Sequence, residues 1–456
     1  MKGIIFFIFA VMAIILASCS SPQKKERSGP SPHVEWSRNA TIYEVNIRQF
    51  TPDGTFKAFE IELPRLQRMG VDILWLMPVN PLGEKNRKGT LGSYYSVKDY
   101  YEVNPEYGSK QDLRDLVTKA HELGMKVIID WVANHTAWDN PLIDKHPEWY
   151  TRDSTGNIVP PVADWTDVAD LDYSQEGLRQ YMAEALAYWI REFDIDGYRC
   201  DVAGMMPVGF WNETVPELRK IKPLFMLAEE EKPAMHDTAF DATYSWDIHR
   251  LMNDIAAGKK TADKLDSAYA AERRQYASDA YRMRFTTNHD ENSWAGTEYE
   301  RLGAGARTFA VFSFTFPGIP LVYSGQESAM NRRLRFFDKD TIPWGNYPLE
   351  PFYTTLMQLK KQNDLIASGD SGGAFIKVPT AKDKQVYAFL RKKGDRKLFV
   401  ILNLSGNDQT VQMKGTDFPG SYREIFTGQE KQWKAGDIVV LTPWQYLVFE
   451  GITKNH

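Results

Sequence analysis

Eight short apolar runs punctuate the chain, separated by longer stretches in which apolar residues return every three or four positions. The runs are TIYEVNI (41–47), VDILWLMPV (71–79), KVIIDWVANH (126–135), DGYRCDVA (196–203), LFMLAEE (224–230), ATYSWDI (242–248), RMRFTTNHD (282–290) and IPLVYSG (319–325). Their length and their content of β-branched and aromatic residues predict buried strands. Between them, Phe56, Phe59, Leu63 and Leu66, or Leu178, Met182, Ala185, Trp189 and Phe193, lay one apolar stripe along a helix. Strand followed by helix, repeated from 41 to 325, implies parallel strands with right-handed crossovers. Eight of them predict an α/β fold, a closed (β/α)8 TIM barrel.

Two segments break this rhythm. Residues 136–174 are rich in Pro, Asp and Trp and too long for an ordinary connection, which predicts a short lobe inserted after strand three. From 372 to 456 the pattern shifts to short alternating strands with turns, as in VYAFLRKKGDRKLFVILNL, and predicts a C-terminal antiparallel β-sandwich domain. The barrel domain, lobe included, then spans 36–371.

The amino terminus follows neither pattern. One lysine precedes an apolar run from Gly3 to Ala17, too short to span a bilayer, and Leu16-Ala17-Ser18-Cys19 follows. Residues 1–18 read as a signal peptide, and the last four residues resemble a bacterial lipobox, in which Cys19 is lipidated. Residues 19–35, rich in Ser, Pro, Lys and Glu, read as a flexible tether. The expectation is an exported protein, lipid-anchored to the bacterial cell envelope at the periplasmic face or the cell surface. Cys200 is then the one remaining cysteine, so no disulfide is available.

Charge narrows the partners. With 55 basic and 60 acidic residues the net charge is −5, which excludes a nucleic-acid-binding surface as the leading reading. The chain carries 13 Trp, 22 Tyr and 24 Phe, mostly core residues on this reading, although aromatic faces also stack on sugars. Composition says nothing about oligomeric state.

Chemistry enters through four carboxylates at strand ends: Asp130 in VIID, Asp201 in YRCD, Glu229 in MLAE and Asp290 in TTNHD. Parallel barrel strands end at one mouth, so these acids meet there, with His135 and His289 beside them. A single acid at a strand end caps a helix; four together indicate chemistry or a cation. Strand alternation puts Arg199 and Asp201 on one face and Cys200 on the other, towards the helices. Cys200 is thus a small buried hydrophobe, while Arg199 favours the ionised form of Asp201. An ionised nucleophile beside an acid that must stay protonated is the pair a retaining glycosidase needs. Glu229 has acidic neighbours in Glu230, Asp201 and Asp290, and composition alone leaves Glu230 as an alternative acid.

At this point the chain resembles the alpha-amylase family, glycoside hydrolase family 13. The resemblance rests on GVDILWLMP, DWVANH, VADLD, GYRCDVA, MLAEE, TTNHD and GIPLVYSGQE, in that order, and extends from about residue 39 into the C-terminal domain. It implies Asp201 as nucleophile, Glu229 as general acid/base and Asp290 as a third acid that holds ring hydroxyls. It implies Tyr95, His135, Arg199 and His289 as ligands of the same glucosyl unit, and Asp130 as structural support.

The resemblance also implies a calcium ion at Asn134 and Asp170, for which a hydrogen-bonded tie between lobe and barrel is the alternative. Where many members have Lys-His after the nucleophile, this chain has Gly204-Met205, which puts calcium and the acceptor side in question. The expected substrates are α-1,4-glucans or malto-oligosaccharides. A glucanotransferase, a glucosidase of short oligosaccharides and a non-catalytic glucan-binding protein are the rivals. No phosphate loop, dinucleotide loop or zinc spacing is present.

Overall fold

The computed structural model describes residues 33–452. The leader, Cys19 and the tether up to residue 32 lie outside the described residues. The eight barrel strands are β1 (Ile42–Val45), β2 (Ile73–Leu76), β3 (Lys126–Trp131), β4 (Gly197–Cys200), β5 (Phe225–Ala228), β6 (Ala242–Tyr244), β7 (Tyr281–Arg284) and β8 (Ile319–Tyr323). Every neighbouring pair is parallel, and β1 pairs with both β2 and β8, so the sheet closes in sequence order.

The strands are shorter than the apolar runs that predict them. The sixth run, read as a strand over 242–248, stops at Tyr244, and Trp246 opens a helix that continues to Ala256. The seventh stops at Arg284, so TTNHD lies beyond the strand, and its last two residues turn into the helical segment Glu291–Ala295. Between β5 and β6 no α-helix fits, only a one-turn 3₁₀ helix at Pro233–His236. The connection from β2 to the helix Lys110–Glu122 is long and carries Tyr95. Ser109 and Asp112 close that helix's N-terminus as a capping box.

Inside the barrel, Ile42, Ile73, Ile128, Leu227, Met283 and Leu321 form an apolar plug. Nearer the mouth, inward positions turn polar: Glu44, Asp130 and Arg199 are all fully buried. Cys200 is buried on the opposite face, in the cluster shared with the helices, as alternation predicts. Burial pushes its thiol well up, so it is no nucleophile.

The lobe is a two-stranded antiparallel ribbon, His135–Ala137 against Val168–Asp170, with a short helix at Leu142–Lys145 between. After the helix Glu350–Gln362 come β9 (Ala374–Lys377), β10 (Val386–Lys393), β11 (Arg396–Asn403), β12 (Gln409–Gln412), β13 (Gly420–Glu424), β14 (Glu430–Trp433), β15 (Ile438–Leu441) and β16 (Tyr446–Gly451). Six form one sheet in the order β9-β10-β11-β16-β13-β14, and β12 pairs with β15 as a second layer. Val386, Ala388 and Leu390 face that layer, whereas Tyr387 and Phe389 join the core shared with the barrel. This double burial explains why VYAFLR reads as a nearly unbroken apolar run.

Candidate active site

Arg199 organises the mouth. Its register partner on β3 is Asp130, and Nη1 donates to Asp130 Oδ1 at 2.8 Å and to Asp201 Oδ1 at 2.9 Å. Nη2 lies 2.8 Å from Glu229 Oε2, a close ion pair without hydrogen-bond alignment. Nε donates to the Tyr244 hydroxyl at 3.2 Å, and the guanidinium lies 5.0 Å from the Trp75 ring centroid. One buried cation thus joins three carboxylates.

Asp201 and Glu229 each follow directly on their strands, β4 and β5, which run side by side with Cys200 opposite Ala228. The turn after Asp201 is strained: Val202, a β-branched residue, has φ 35° and ψ 44°. Its N–H donates to Glu229 Oε2 at 2.9 Å, so the same turn aims the neighbouring acid. Glu230, the alternative acid, points elsewhere. Its Oε1 accepts from the N–H groups of Glu231 and Lys232 at 2.7 and 3.2 Å, and its Oε2 pairs with Lys232 Nζ at 3.2 Å.

A second relay reaches Asp290. His289 Nδ1 is bonded to Glu44, and Nε2 lies 2.7 Å from the Tyr95 hydroxyl and 3.3 Å from Asp290 Oδ2. Tyr95 in turn donates to Asp130 Oδ2 at 3.1 Å, which closes a network back to Arg199. The Tyr95 ring stacks against His289 and Phe336 at centroid distances of 5.5 and 6.2 Å. His135 sits at the root of the lobe, edge-on to Trp165 at 5.6 Å.

Burial and charge set the protonation. Desolvation pushes Asp201 well above the usual carboxylate range, and the charges of Glu229, Asp130 and Asp290 add to it, against Arg199. Arg199 does favour the ionised form of Asp201, as expected from their shared face, but burial and the three neighbouring acids outweigh it. Desolvation likewise takes Asp130 up to about 6. Asp290 feels the same burial, but the charge and hydrogen bond of His289 outweigh it and bring it down. For His289, burial is overcome by Asp290 and Glu44, which raise it well above the ordinary imidazole value. His135 has no such partner, and burial lowers it to about 4.

These groups open on a cleft of about 570 Å³ lined by Tyr95, His135, Asp201, Glu229, Asp290 and Trp165. Sequence reasoning missed several lining groups: Lys88, Trp294, Phe336 and Phe337. Trp294 is 56% exposed and stands 5.2 Å from Phe336, ring to ring, an apolar wall suited to the face of a sugar. A second, smaller cleft of about 270 Å³ lies on the far side of Glu229, between Gly204, Met205, Glu230 and Trp246. Gly204 leaves the space that Glu230 fills, since a Cβ there would meet Glu230 Oε2 at 1.4 Å.

Calcium takes six to eight oxygen ligands. Asn134 and Asp170 face each other across the lobe root, with Asn134 Nδ2 3.4 Å from Asp170 Oδ1. The Gly204 carbonyl beside Met205 already accepts from Lys232 Nζ at 2.8 Å, and among the described residues no cluster of three His, Cys, Asp or Glu gathers here. Asn134 and Asp170 thus meet as a hydrogen-bonded tie between lobe and barrel.

Comparison with known proteins places this geometry. The alpha amylase catalytic domain model matches residues 37–156 and 161–342, and the model of the alpha amylase C-terminal all-beta domain matches 379–444. A maltogenic alpha-amylase structure from Thermotoga neapolitana is 32% identical with a TM-score of 0.85, covering 92% of this chain and all of that one. An alpha-amylase structure from Lactobacillus plantarum is 31% identical with a TM-score of 0.83, covering 91% and 100%. Alpha-amylase 2 of Dictyoglomus thermophilum is 26% identical in an alignment of 444 positions that covers 86% of this chain and 73% of that protein. The chain belongs to the alpha-amylase family and is a glycoside hydrolase.

Proposed function

We propose that the protein cleaves α-1,4-glucosidic bonds of starch, glycogen or malto-oligosaccharides by double displacement, with Asp201 as nucleophile and Glu229 as general acid/base. The observation that carries the pairing is the single guanidinium of Arg199 lying between both carboxylates. Two acids held by one guanidinium are close neighbours, which supports the retaining pairing, in which the carboxyl groups lie about 5–5.5 Å apart.

In the first step an Asp201 oxygen bonds to the anomeric carbon as the glycosidic C–O bond breaks. The departing oxygen takes the Glu229 proton. In the second step Glu229 removes a proton from water, the water oxygen bonds to the same carbon, and the Asp201 ester bond breaks. Asp290, His289, His135 and Tyr95 line the glucosyl side, and Arg199 holds both acids in line. The smaller cleft beyond Glu229 takes the leaving saccharide. The substrate class follows the relatives, whose names speak of alpha-amylase and maltogenic alpha-amylase activities.

We also propose an N-terminal lipid anchor at Cys19 and an envelope location; residues 1–35 support both by sequence alone. Mass spectrometry of the mature N-terminus tests this: a diacylglycerol-modified Cys19 is expected, and an unmodified N-terminus overturns it. For the activity, product analysis on starch, pullulan and maltotriose beside Asp201→Asn decides. A mutant-sensitive ladder of malto-oligosaccharides is expected from starch. Products longer than the starting maltotriose would instead assign transfer, and binding without any product would sink the catalytic reading.

A further inference from the structure

We infer that the seam between the barrel and the C-terminal domain holds a phosphate-class oxyanion, in a cavity walled by Arg391, Arg282 and Arg273 that shares no residue with the active-site cleft. The cavity, about 450 Å³, lies outside β7, between the helix Lys264–Gln275 and the segment 369–375 that leads into β9. Arg391 is the third barrel-facing residue of β10 after Tyr387 and Phe389, at a position where the pattern calls for an apolar side chain.

Arg391 is 2% exposed, and its guanidinium has no carboxylate partner among the described residues. Nε donates to the Gly373 carbonyl at 3.1 Å and Nη1 to the Thr315 carbonyl at 3.2 Å, while Nη2 has no protein partner among the described residues. Gly372 keeps that nitrogen clear: a Cβ there would stand 2.5 Å from Nη2. Burial pulls the guanidinium down to about 10, and Tyr269 is the one neighbour that favours its charge. The C-terminal carbonyl of the helix Ala306–Thr315 offsets part of the charge, but a helix end supplies only about half of one.

Of the other cations on the lining, Arg282 is paired with Glu231 and lies 3.9 Å from Glu272, so the missing counter-ion is that of Arg391. Arg282, 4% exposed, uses Nη1 on Thr243 and Nη2 on Glu231, and its Nε is buried without a hydrogen-bond partner. Arg273 is exposed at the rim. The acids present are committed: Glu272 forms two hydrogen bonds to Arg284, and Asp370 accepts from the Ser278 hydroxyl at 2.6 Å. A buried guanidinium without a counter-ion is costly, and an oxyanion accepting from a guanidinium fork is the chemistry that relieves it.

The test is uptake of inorganic phosphate by the mature protein at fixed ionic strength, read by equilibrium dialysis and by thermal midpoint. One phosphate per chain is expected, with a saturable rise in midpoint that chloride does not reproduce. Arg391→Met should abolish both effects and leave starch cleavage unchanged. Arg273→Met, at an exposed position that folding does not need, should weaken uptake several-fold and decides the matter if Arg391→Met fails to fold. A hexose phosphate run in parallel separates the sources: tighter uptake assigns a phosphate ester, equal uptake assigns the free ion. No stoichiometric uptake by the unmodified protein, an equal response to chloride, or unchanged uptake in both variants would overturn the inference.

Discussion

Arg199 carries more of the site than any other side chain, because it alone stands between Asp130, Asp201 and Glu229. Replacing it by Met leaves three buried or half-buried acids facing one another, and loss of one partner from a buried ionic group costs about 3–5 kcal/mol. Urea unfolding of Arg199→Met should show a drop of that order together with loss of turnover; a stable, active variant would remove Arg199 from this role. Asp201 behaves in the opposite way. Its carboxyl is held above the ordinary range in the folded state, so at neutral pH ionising it weakens the fold, and that cost grows as pH rises from the ordinary range through the raised value. Asp201→Asn should therefore be inactive yet melt no lower than the parent at pH 7. Because the nucleophile works only when ionised, kcat/KM should fall on the acid side above the ordinary aspartate range of about 3.9. A limb at or below that value would contradict the raised Asp201.

His289 gives a residue-scale test of the other sign. Its folded value is raised by Asp290 and Glu44 against burial, so the stabilisation is complete below the unfolded imidazole value and is lost as pH rises through the folded one. Glu44→Gln should cost most stability near pH 6 and progressively less in the alkaline range, as read by urea midpoints. Glu44 shows what the sequence conceals. In TIYEVNI it reads as one more strand position, and its partner lies 245 residues away with no local pattern linking the two. Asp201, Glu229 and Arg199 were legible because strand alternation and a shared strand end are local signals. Trp294, Phe336 and Lys88 were not, since irregular loops leave no periodicity to read.

At the scale of elements, the pairing of β4 and β5 decides whether Asp201 and Glu229 meet. Gly197, with φ 150°, opens β4 where a Cβ would come within 1.8 Å of the Phe225 carbonyl oxygen. Gly197→Ala should force these strands apart, with a stability loss of about 4 kcal/mol or more, and activity lost alongside. A well-folded, active Gly197→Ala protein would show that this contact does not set the geometry. The apolar runs located all eight strands but overran their ends. The residues past β3 and β7 are buried although largely polar, because lobe and mouth also enclose side chains, and the runs do not distinguish those settings from a strand. The shortened β7 has a functional result: His289 and Asp290 sit together on the helical turn beyond the strand, at the mouth.

At the scale of the whole molecule, the C-terminal domain is part of the barrel's packing, since Tyr387, Phe389, Leu398 and Val400 complete the core on its outer side. Its antiparallel character was readable from short alternating runs, whereas its docking face was hidden, because both faces of β10 and β11 are buried. The lobe root is tied by Asn134 and Asp170, which meet by a direct hydrogen bond. Chelation should accordingly leave thermal midpoint and activity unchanged, and a fall in either on adding EDTA would restore the metal reading.

The most direct test of the paired-acid account uses Glu229→Gln with α-glucosyl fluoride, whose leaving group needs no protonation. Without its general base the second step should stall, and peptide mass spectrometry after a rapid quench should find one glucosyl unit on the peptide that contains Asp201. An unlabelled protein that still releases sugar of inverted anomeric configuration, or a label on another residue, would contradict Asp201 as the nucleophile.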